Sequence, residues 1–122
     1  MKIESLTPML RTWDIPGTVR FYTEVLGFAC EEIEVSAEGG WALLRRGNAA
    51  IMLSGPNVHE GDVTPAFTGS LYFRVDDVNG FWDKVRNRAK LCYPIEDFEY
   101  GMREFAVYDT NGYLLQFGQE IP

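Results

Sequence analysis

The first half of the chain changes from strand-like to helix-like and back to strand-like spacing of its apolar residues. Residues 2–12 are predicted to form a strand, and Asp14 follows, where its side chain can cap a helix. Apolar residues at helical spacing come next: Ile15, Val19, Tyr22, Val25 and Leu26. Glycine-containing turns then separate three short predicted strands, near residues 28–35, 41–46 and 49–54.

The same order of patterns returns after residues 55–68, a segment rich in glycine, proline and asparagine that is interpreted as a linker. A strand is predicted over residues 69–75, and Asp77 can cap the helix that follows. The inward positions of that helix are apolar: Val78, Phe81, Trp82 and Val85. Three further strands are predicted near residues 91–94, 103–108 and 113–119.

The two halves also repeat individual residues, about 63 positions apart. Leu10, Arg11, Asp14, Ile15 and Gly17 correspond to Phe73, Arg74, Asp77, Val78 and Gly80. This duplication predicts an α+β fold of paired βαβββ modules, about 1–54 and 69–122, within a single domain. Each module should form a curled, mainly antiparallel sheet with its helix on one face. A ligand cleft is expected between the two like halves.

Composition and charge narrow the possible functions. The 122-residue chain has a net charge of −7, which argues against nucleic acid as a partner because a negative surface repels phosphate. No apolar run is long enough to span a membrane, and the N-terminus lacks a signal-peptide pattern, so we predict a cytoplasmic protein with no membrane partner. Cys30 and Cys92 occupy nearly equivalent places in the two halves and are expected to remain thiols.

Three stretches carry a resemblance to a known family. They are FYTEVLGF at residues 21–28, FRVDDV at residues 73–78 and YGMREFAVYDTNGYLLQFGQ at residues 100–119. Together with the duplication, they resemble the glyoxalase/bleomycin resistance/extradiol dioxygenase superfamily, also called vicinal oxygen chelate, over nearly the whole chain. The resemblance implies paired βαβββ modules whose sheets curl around a ligand cleft, usually within a homodimer.

The metal-dependent enzymes of that superfamily take His, Glu or Gln ligands from the first and last strands of each module. The resemblance puts these positions at Thr7, Met52, Ser70 and Gln116, of which only Gln116 fits. No Asp, Glu, His or Cys occurs in the surrounding regions, residues 5–13, 47–58, 68–75 and 110–119. The resemblance therefore points to the metal-free branch, which is similar to bleomycin-type antibiotic-binding proteins. We expect no metal, no cofactor and no catalytic residue.

Aromatic side chains stand where a cleft is expected. Trp41 opens the third strand and Tyr100 precedes the last hairpin, and the resemblance places aromatic residues of the metal-free binders at both positions. Residues 96–99, just before Tyr100, are acidic and aromatic, which suits a cationic, partly aromatic ligand. Two plainer interpretations stay open: Trp41 as a packing residue of the sheet, and the acidic stretch as a solvated loop.

Alternation along the predicted strands adds further candidates for ligand binding. They are Thr7, Met9, Met52, Ser70, Tyr72 and Gln116 on one face, together with Met102 and Arg103 near Tyr100. The role of Arg103 is undecided, because it could also pair with a carboxylate. Four other large aromatic residues are assigned to packing: Trp13, Phe21, Phe81 and Trp82. The single histidine, His59, is interpreted as a solvated loop residue.

Two functions compete at this point. The first, which we favour, is the sequestration of a small cationic or heteroaromatic compound without a metal, similar to bleomycin-type antibiotic resistance. The second is a metal-dependent lyase, isomerase or dioxygenase of the same superfamily. One architecture hosts both, so the fold alone does not separate them.

Overall fold

A computed structural model describes residues 1–37, 39–57, 59, 61 and 63–122. The chain divides into two compact units, Met1–Pro65 and Ala66–Pro122, and the boundary lies inside the segment 55–68. Each unit has the element order βαβββ and one four-stranded sheet of mixed direction. The predicted α+β fold class is therefore confirmed.

The first unit contains one helical region and four strands. In chain order they are β1 (Met9–Arg11), α1 (Ile15–Arg20), a π-helical segment (Phe21–Val25), β2 (Ala29–Ser36), β3 (Gly39–Arg46) and β4 (Ala49–Ser54). The strand order in the sheet is β1-β4-β3-β2. β1 pairs with β4 in parallel, whereas the other pairs are antiparallel. The parallel strands β1 and β4 are separated in the chain by the helical region, β2 and β3, since a parallel connection needs a long crossover.

The first helix begins as its sequence predicts. The Asp14 side chain accepts a hydrogen bond from the backbone N–H of Gly17 at 3.0 Å, which satisfies a donor of the first turn. Pro16 lies in that turn, where its missing N–H needs no partner. The chain stays helical through the π-helical segment and turns away near Gly27, whose φ of 77° favours glycine.

The first strand is shorter than predicted. The strand expected over residues 2–12 is corrected to Met9–Arg11, and residues 1–6 are exposed. Pro8 directly precedes the strand and has no N–H to donate, although its carbonyl accepts the Met52 N–H at 2.9 Å. A parallel ladder loses a hydrogen bond at a proline, so pairing stops there although apolar residues continue towards the N-terminus.

The second unit repeats this design. Its elements are β5 (Leu71–Arg74), α2 (Val78–Val85), β6 (Lys90–Asp97), β7 (Met102–Tyr108) and β8 (Leu114–Glu120). The strand order is β5-β8-β7-β6, and β5 pairs with β8 in parallel. Asp77 caps α2 by accepting a hydrogen bond from the Gly80 N–H at 3.0 Å, which repeats the contact of Asp14 with Gly17.

The strand predicted near residues 91–94 is longer in the structure. β6 continues to Asp97, because Glu96 and Asp97 pair with Glu104 and Arg103 across the β6–β7 hairpin. The loop interpretation of the acidic stretch is therefore wrong for Glu96 and Asp97, which are exposed strand residues. The pairing register shifts on both sides of Tyr93, and such irregularities accommodate a proline inside an edge strand.

Each sheet has one face covered by the helix of its own unit and one open face. In the second unit the covered face includes Phe105, whose ring centroid lies 5.1 Å from that of Trp82. Trp82 is 8% exposed and Phe21 is buried, so the packing role of both is confirmed. The packing role of Trp13 is wrong, since this residue is 54% exposed. Trp13 lies two residues after the end of β1, so the alternation of a paired strand does not hold its side chain against the core.

Two expectations from composition can also be compared with the structure. Cys30 and Cys92 are both free thiols, as predicted, and lie in different units. Neither helix in the described part of the chain is long and apolar enough to cross a membrane.

Candidate functional site

The open face of the second sheet carries a group of polar and aromatic side chains that we call the Glu104 cluster. Its members are Ser70, Tyr72, Tyr93, Tyr100, Glu104 and Gln116. Cross-strand neighbours point to the same face, and one row of the sheet runs Tyr72, Gln116, Ala106, Tyr93. The next row runs Arg74, Gly118, Glu104, Glu96. The small Ala106 side chain separates Tyr93 from Gln116, so those two longer side chains can reach each other.

A chain of hydrogen bonds joins most of the cluster and ends on the Glu104 carboxylate. The Ser70 hydroxyl donates to Gln116 Oε1 at 2.6 Å. Gln116 Nε2 donates to the Tyr93 hydroxyl oxygen at 3.0 Å, and the Tyr93 hydroxyl donates to Glu104 Oε2 at 2.7 Å. The Tyr100 hydroxyl donates to Glu104 Oε1. Two phenol hydroxyls therefore donate hydrogen bonds to the two oxygens of one carboxylate.

Glu104 is fully buried, with 0% of its surface exposed. Both of its side-chain oxygens accept hydrogen bonds, as expected of an ionised carboxylate, which has no proton to donate. Among the residues that the structure describes, no Lys, Arg or His forms an ion pair with it. Arg74, in the same row of the sheet, is paired with Glu120 at 3.2 Å. The cluster therefore holds a buried negative charge that neutral donors alone stabilise, an arrangement that is costly in free energy.

Burial and the carboxylate keep the neighbouring phenols protonated. Burial raises the pKa of Tyr93 far above its usual value, and the hydrogen bond to Glu104 adds to the rise. The hydrogen bond to Glu104 is the main cause that raises the pKa of Tyr100 to about 12. Burial, with the charge of Glu104, also raises the pKa of Tyr72. All three hydroxyls therefore remain hydrogen-bond donors at neutral pH.

These shifts predict that the protein loses stability at alkaline pH. A phenol whose pKa rises on folding holds its proton more tightly in the folded state. Its contribution is complete below the unfolded pKa of about 10 and is lost as pH rises towards the folded value. We expect the free energy of unfolding, measured in urea, to fall between pH 10 and about 12, the value that Tyr100 reaches.

The control for this prediction is Tyr100→Phe, which removes the ionisable hydroxyl and should make the alkaline loss smaller. In an absorbance titration of the six tyrosines, the variant should have one tyrosine fewer among those that ionise at the highest pH. An unchanged alkaline loss in Tyr100→Phe would show that other groups cause it.

A glycine opens the sheet beside the carboxylate. Gly118 lies opposite Glu104, and a Cβ at this position would come 2.0 Å from the Tyr72 hydroxyl oxygen. The Tyr72 hydroxyl can lie over the backbone there only because residue 118 has no side chain. Tyr72 is 42% exposed, so the rim of the cluster on this side is an aromatic ring that remains accessible.

Three aromatic rings form a wall on the other side of Glu104. Phe98 stacks on Tyr100 with 5.4 Å between the ring centroids and 20° between the ring planes. Tyr93 meets Phe98 edge to face at 5.5 Å. Tyr100 lies in the turn between β6 and β7 and is 61% exposed, although its hydroxyl reaches a fully buried carboxylate. The wall therefore offers a flat aromatic surface next to a negative charge.

The structure brings four of the candidates from the second half of the sequence together. Ser70, Tyr72, Tyr100 and Gln116 all belong to the Glu104 cluster. Met102 is half-buried and stands two residues before Glu104 on β7, where alternation gives it the same face.

Arg103 differs from the other candidates of the second unit. Alternation along β7 turns it away from the face of Glu104. Its guanidinium instead donates two hydrogen bonds to Asp97, at 2.6 and 3.1 Å. Arg103 is therefore engaged with a carboxylate outside the Glu104 cluster.

In the first unit, Met9 lies opposite Met52 on the open face of the sheet. Thr7 precedes β1, so it stands outside the strand that was predicted to contain it. Trp41 lies opposite Glu34 on one side and Ser54 on the other.

Trp41 is half-buried, and it faces away from the buried Ala42 and Leu44, which point to the covered side of the sheet. Its ring lines an open groove of about 490 Å³ together with Glu34, Ser54 and His59. His59 is exposed, as predicted. Trp41 therefore presents aromatic surface beside a carboxylate within its own unit.

Two central residues of the cluster, Glu104 and Tyr93, are absent from the sequence-derived candidates. The superfamily's metal-ligand positions direct attention to residues 5–13, 47–58, 68–75 and 110–119, whereas Glu104 lies on β7, outside all four ranges. The sequence does contain one indication of Glu104: this charged residue directly precedes three apolar residues on the same strand, Phe105, Ala106 and Val107, which are fully buried. A charged residue at such a position needs partners on its own face.

The residues at the positions of the superfamily's metal ligands do not fit a divalent ion. Ser70 and Gln116 bond to each other, and the Gln116 amide also donates to Tyr93, so both ends of this amide are engaged. Met52 offers a thioether, a weak ligand for hard ions. Within residues 1–37, 39–57, 59, 61 and 63–122, no group of three or more His, Cys, Asp or Glu side chains could hold a metal ion.

Comparison with known proteins agrees with this architecture. A family model described as Glyoxalase/Bleomycin resistance protein/Dioxygenase superfamily matches residues 3–117. No functionally curated protein matches the chain. Among solved structures, a protein of unknown function from Agrobacterium tumefaciens str. C58 is 22% identical with a TM-score of 0.77, and the match covers 99% of this chain and 97% of that one.

Two further solved structures show the range of proteins that share the fold. Glyoxalase I from Zea mays is 20% identical with a TM-score of 0.77, and the match covers 96% of this chain and 44% of that one. TioX from Micromonospora sp. ML1 is 20% identical with a TM-score of 0.75, and the match covers 95% and 98%. At these identities the likeness is one of fold alone.

Proposed function

The chain belongs to the Glyoxalase/Bleomycin resistance protein/Dioxygenase superfamily, and on that premise we propose that it is a metal-free small-molecule binding protein. Its ligand is a cationic or heteroaromatic compound that lies on the open face of the second sheet, against the Glu104 cluster. The observation that carries the proposal is the fully buried Glu104 carboxylate, held by two phenols beside exposed aromatic rings.

The chemistry of the cluster supports this class of ligand. The exposed ring of Tyr100 can stack on a flat ligand, a contact that contributes about 0.5 to 1.5 kcal/mol beyond its buried area. A cationic ligand gains in addition from cation–π contact and from the Glu104 charge. The net charge of −7 attracts cations to the protein at low ionic strength.

Sequestration of a bleomycin-type antibiotic is the specific form of this function that we propose. The family description names bleomycin resistance proteins, and the cluster joins negative charge to aromatic surface, which suits a cationic heteroaromatic compound. Within the first unit, Trp41 beside Glu34 is proposed as a separate aromatic contact for a ligand. The Ser54 hydroxyl next to it is buried and has no hydrogen-bond partner among the described residues.

The proposal is tested first by metal analysis of the purified protein. Elemental analysis and titration with nickel, zinc, manganese and iron should give occupancy far below one ion per chain, because the donors at the superfamily positions are weak or already engaged. A tight, saturable site for any of these ions would overturn the metal-free proposal and favour the lyase, isomerase or dioxygenase alternative.

Ligand binding is tested by titrating planar aromatic compounds, including a bleomycin-type glycopeptide, into the isotope-labelled chain. Binding to the cluster should shift the backbone amide resonances of β5, β7 and β8, which carry Tyr72, Glu104 and Gln116. Added salt should weaken the charge component and leave the stacking component. If no compound in the screen shifts these amides, the proposed function is wrong.

We also predict a homodimer. The sheet of each unit ends in edge strands, β1 and β2 in the first and β5 and β6 in the second. Open edges favour association, and the superfamily resemblance implies pairing. Light scattering at micromolar concentration should report about twice the chain mass of 13.9 kDa. A clean monomer would count against this prediction and weaken the bleomycin-type comparison.

A further inference from the structure

We propose that the Glu104 cluster selects planar cations that carry N–H donors, of the amidinium or guanidinium type, and that Tyr100 releases its hydrogen bond to admit them. The inference rests on the proposed binding function and names the ligand class of the same cluster. It excludes two related chemistries, neutral amides and quaternary ammonium ions, as good ligands.

The buried Glu104 carboxylate has no positively charged partner among the described residues. In the described part of the chain, Glu104 accepts hydrogen bonds from Tyr93 and Tyr100 and forms no ion pair. Neutral donors offset less of the cost of burying a charge than a cation does. A cationic ligand therefore gains an interaction that a neutral ligand lacks, at a place where water screens charge weakly.

The two side-chain oxygens of Glu104 accept hydrogen bonds from tyrosines that differ in exposure. Oε2 accepts from Tyr93, which is half-buried against Phe98 and is also bonded to Gln116 at 3.0 Å. Oε1 accepts from Tyr100, which lies in the β6–β7 turn and is 61% exposed. Tyr100 packs against Phe98 alone among the described aromatic rings and can move towards solvent at the cost of that contact, whereas Tyr93 is held by Phe98, Gln116 and Glu104 together. The ligand therefore replaces Tyr100 at Oε1.

The shape and the N–H groups of the cation also decide which ligands fit the Glu104 cluster. An N–H group that carries positive charge adds the attraction of an ion pair to its hydrogen bond with Oε1, which a neutral N–H group does not. A flat cation can also stack on the Tyr100 ring, which already lies nearly parallel to Phe98. A quaternary ammonium ion supplies charge for cation–π contact but no hydrogen, and a neutral amide supplies hydrogen but no charge.

Three probes that share one benzene ring test the inference. Benzamidine is a planar N–H cation at neutral pH, benzamide is its neutral analogue, and phenyltrimethylammonium is a cation without N–H. Each is titrated at millimolar concentrations into the full chain, and its affinity is measured from amide chemical shifts. We expect benzamidine to bind at least about tenfold more tightly than either of the others, as a charge-assisted hydrogen bond implies.

Two variants place this selectivity on the named atoms. Glu104→Gln removes the charge with little change of shape, and the preference for benzamidine over benzamide should fall to within about twofold. Tyr100→Phe keeps the ring but frees Oε1 of Glu104. Benzamidine should therefore bind this variant at least about threefold more tightly than it binds the unaltered protein. Tyr108→Phe is the matched control, because the Tyr108 hydroxyl donates to Cys92 Sγ at 3.3 Å and not to Glu104. This variant should leave the affinity for benzamidine unchanged.

The outcomes separate this inference from the proposed function. The inference is overturned if benzamidine binds no better than benzamide or phenyltrimethylammonium, if it does not bind at all, or if Tyr100→Phe weakens its binding. Should Glu104→Gln fail to fold, the probe series and Tyr100→Phe still decide the matter. The proposed function fails separately, when no planar compound shifts the amides of β5, β7 and β8.

Discussion

Trp82→Ala should destabilise the protein by about 3 to 5 kcal/mol, the usual cost of removing a buried aromatic ring from a core. Trp82 is 8% exposed, and its ring centroid lies 5.1 Å from that of Phe105 in the centre of the sheet. The Arg86 guanidinium covers the ring at 5.1 Å, so the substitution also removes a cation–π contact. Urea unfolding of the variant beside the unaltered protein measures the difference.

Trp13→Ala is the matched control for this prediction. It removes the same side chain from a position that is 54% exposed, and its effect on stability should stay within about 0.5 kcal/mol. Comparable losses of stability in the two variants would mean that Trp82 contributes no more to the core than the exposed Trp13 does.

Tyr100→Ala should weaken ligand binding by about 1 to 3 kcal/mol and leave the fold intact, as is usual for an aromatic residue that anchors a ligand. The loss arises because alanine removes the exposed ring on which the ligand is proposed to stack, whereas Tyr100→Phe removes the hydroxyl alone. Affinity is measured by titration with a compound that shifts the β5, β7 and β8 amides, and stability by the urea midpoint. For a ligand that shifts the amides of β3 in the first unit, Trp41→Ala should reduce the affinity by a similar amount.

Tyr108→Ala controls for the general effect of losing a tyrosine from β7. Tyr108 lies four residues from Glu104, about 13 Å along the strand, and its ring contacts Lys90 instead. Binding that survives both Tyr100→Ala and Trp41→Ala would put the ligand in another place. Unfolding of Trp41→Ala would support the packing interpretation of that residue.

The duplicated scaffold carries different chemistry in its two units. In the first sheet one row of the open face places Trp41 between Glu34 and Ser54. In the equivalent row of the second sheet, Glu104 stands between Glu96 and Gly118. The backbone pairing repeats, but an aromatic ring is central in one unit and a carboxylate in the other. Repetition of a fold therefore does not imply repetition of a site.

The sequence by itself determined the elements and their order. The Asp14 and Asp77 caps, the helical spacing after them and the glycine turns are local features, so they act in the same way wherever the segment is placed. The strand predicted over residues 49–54 matches Ala49–Ser54 for the same reason, since a tight turn fixes where it begins. The absence of acids from residues 5–13, 47–58, 68–75 and 110–119 was likewise a property of the sequence alone.

Only the tertiary structure decided where the edge strands β1 and β6 end and which residues make up the site. β1 is short and β6 long because strand length depends on hydrogen bonds to a neighbour, which a local pattern does not contain. Tyr93, Glu104 and Gln116 lie on three different strands, and their contacts follow from the register between strands rather than from spacing along one. A buried carboxylate is recognised as a site only when the partners that cross the sheet to reach it are known.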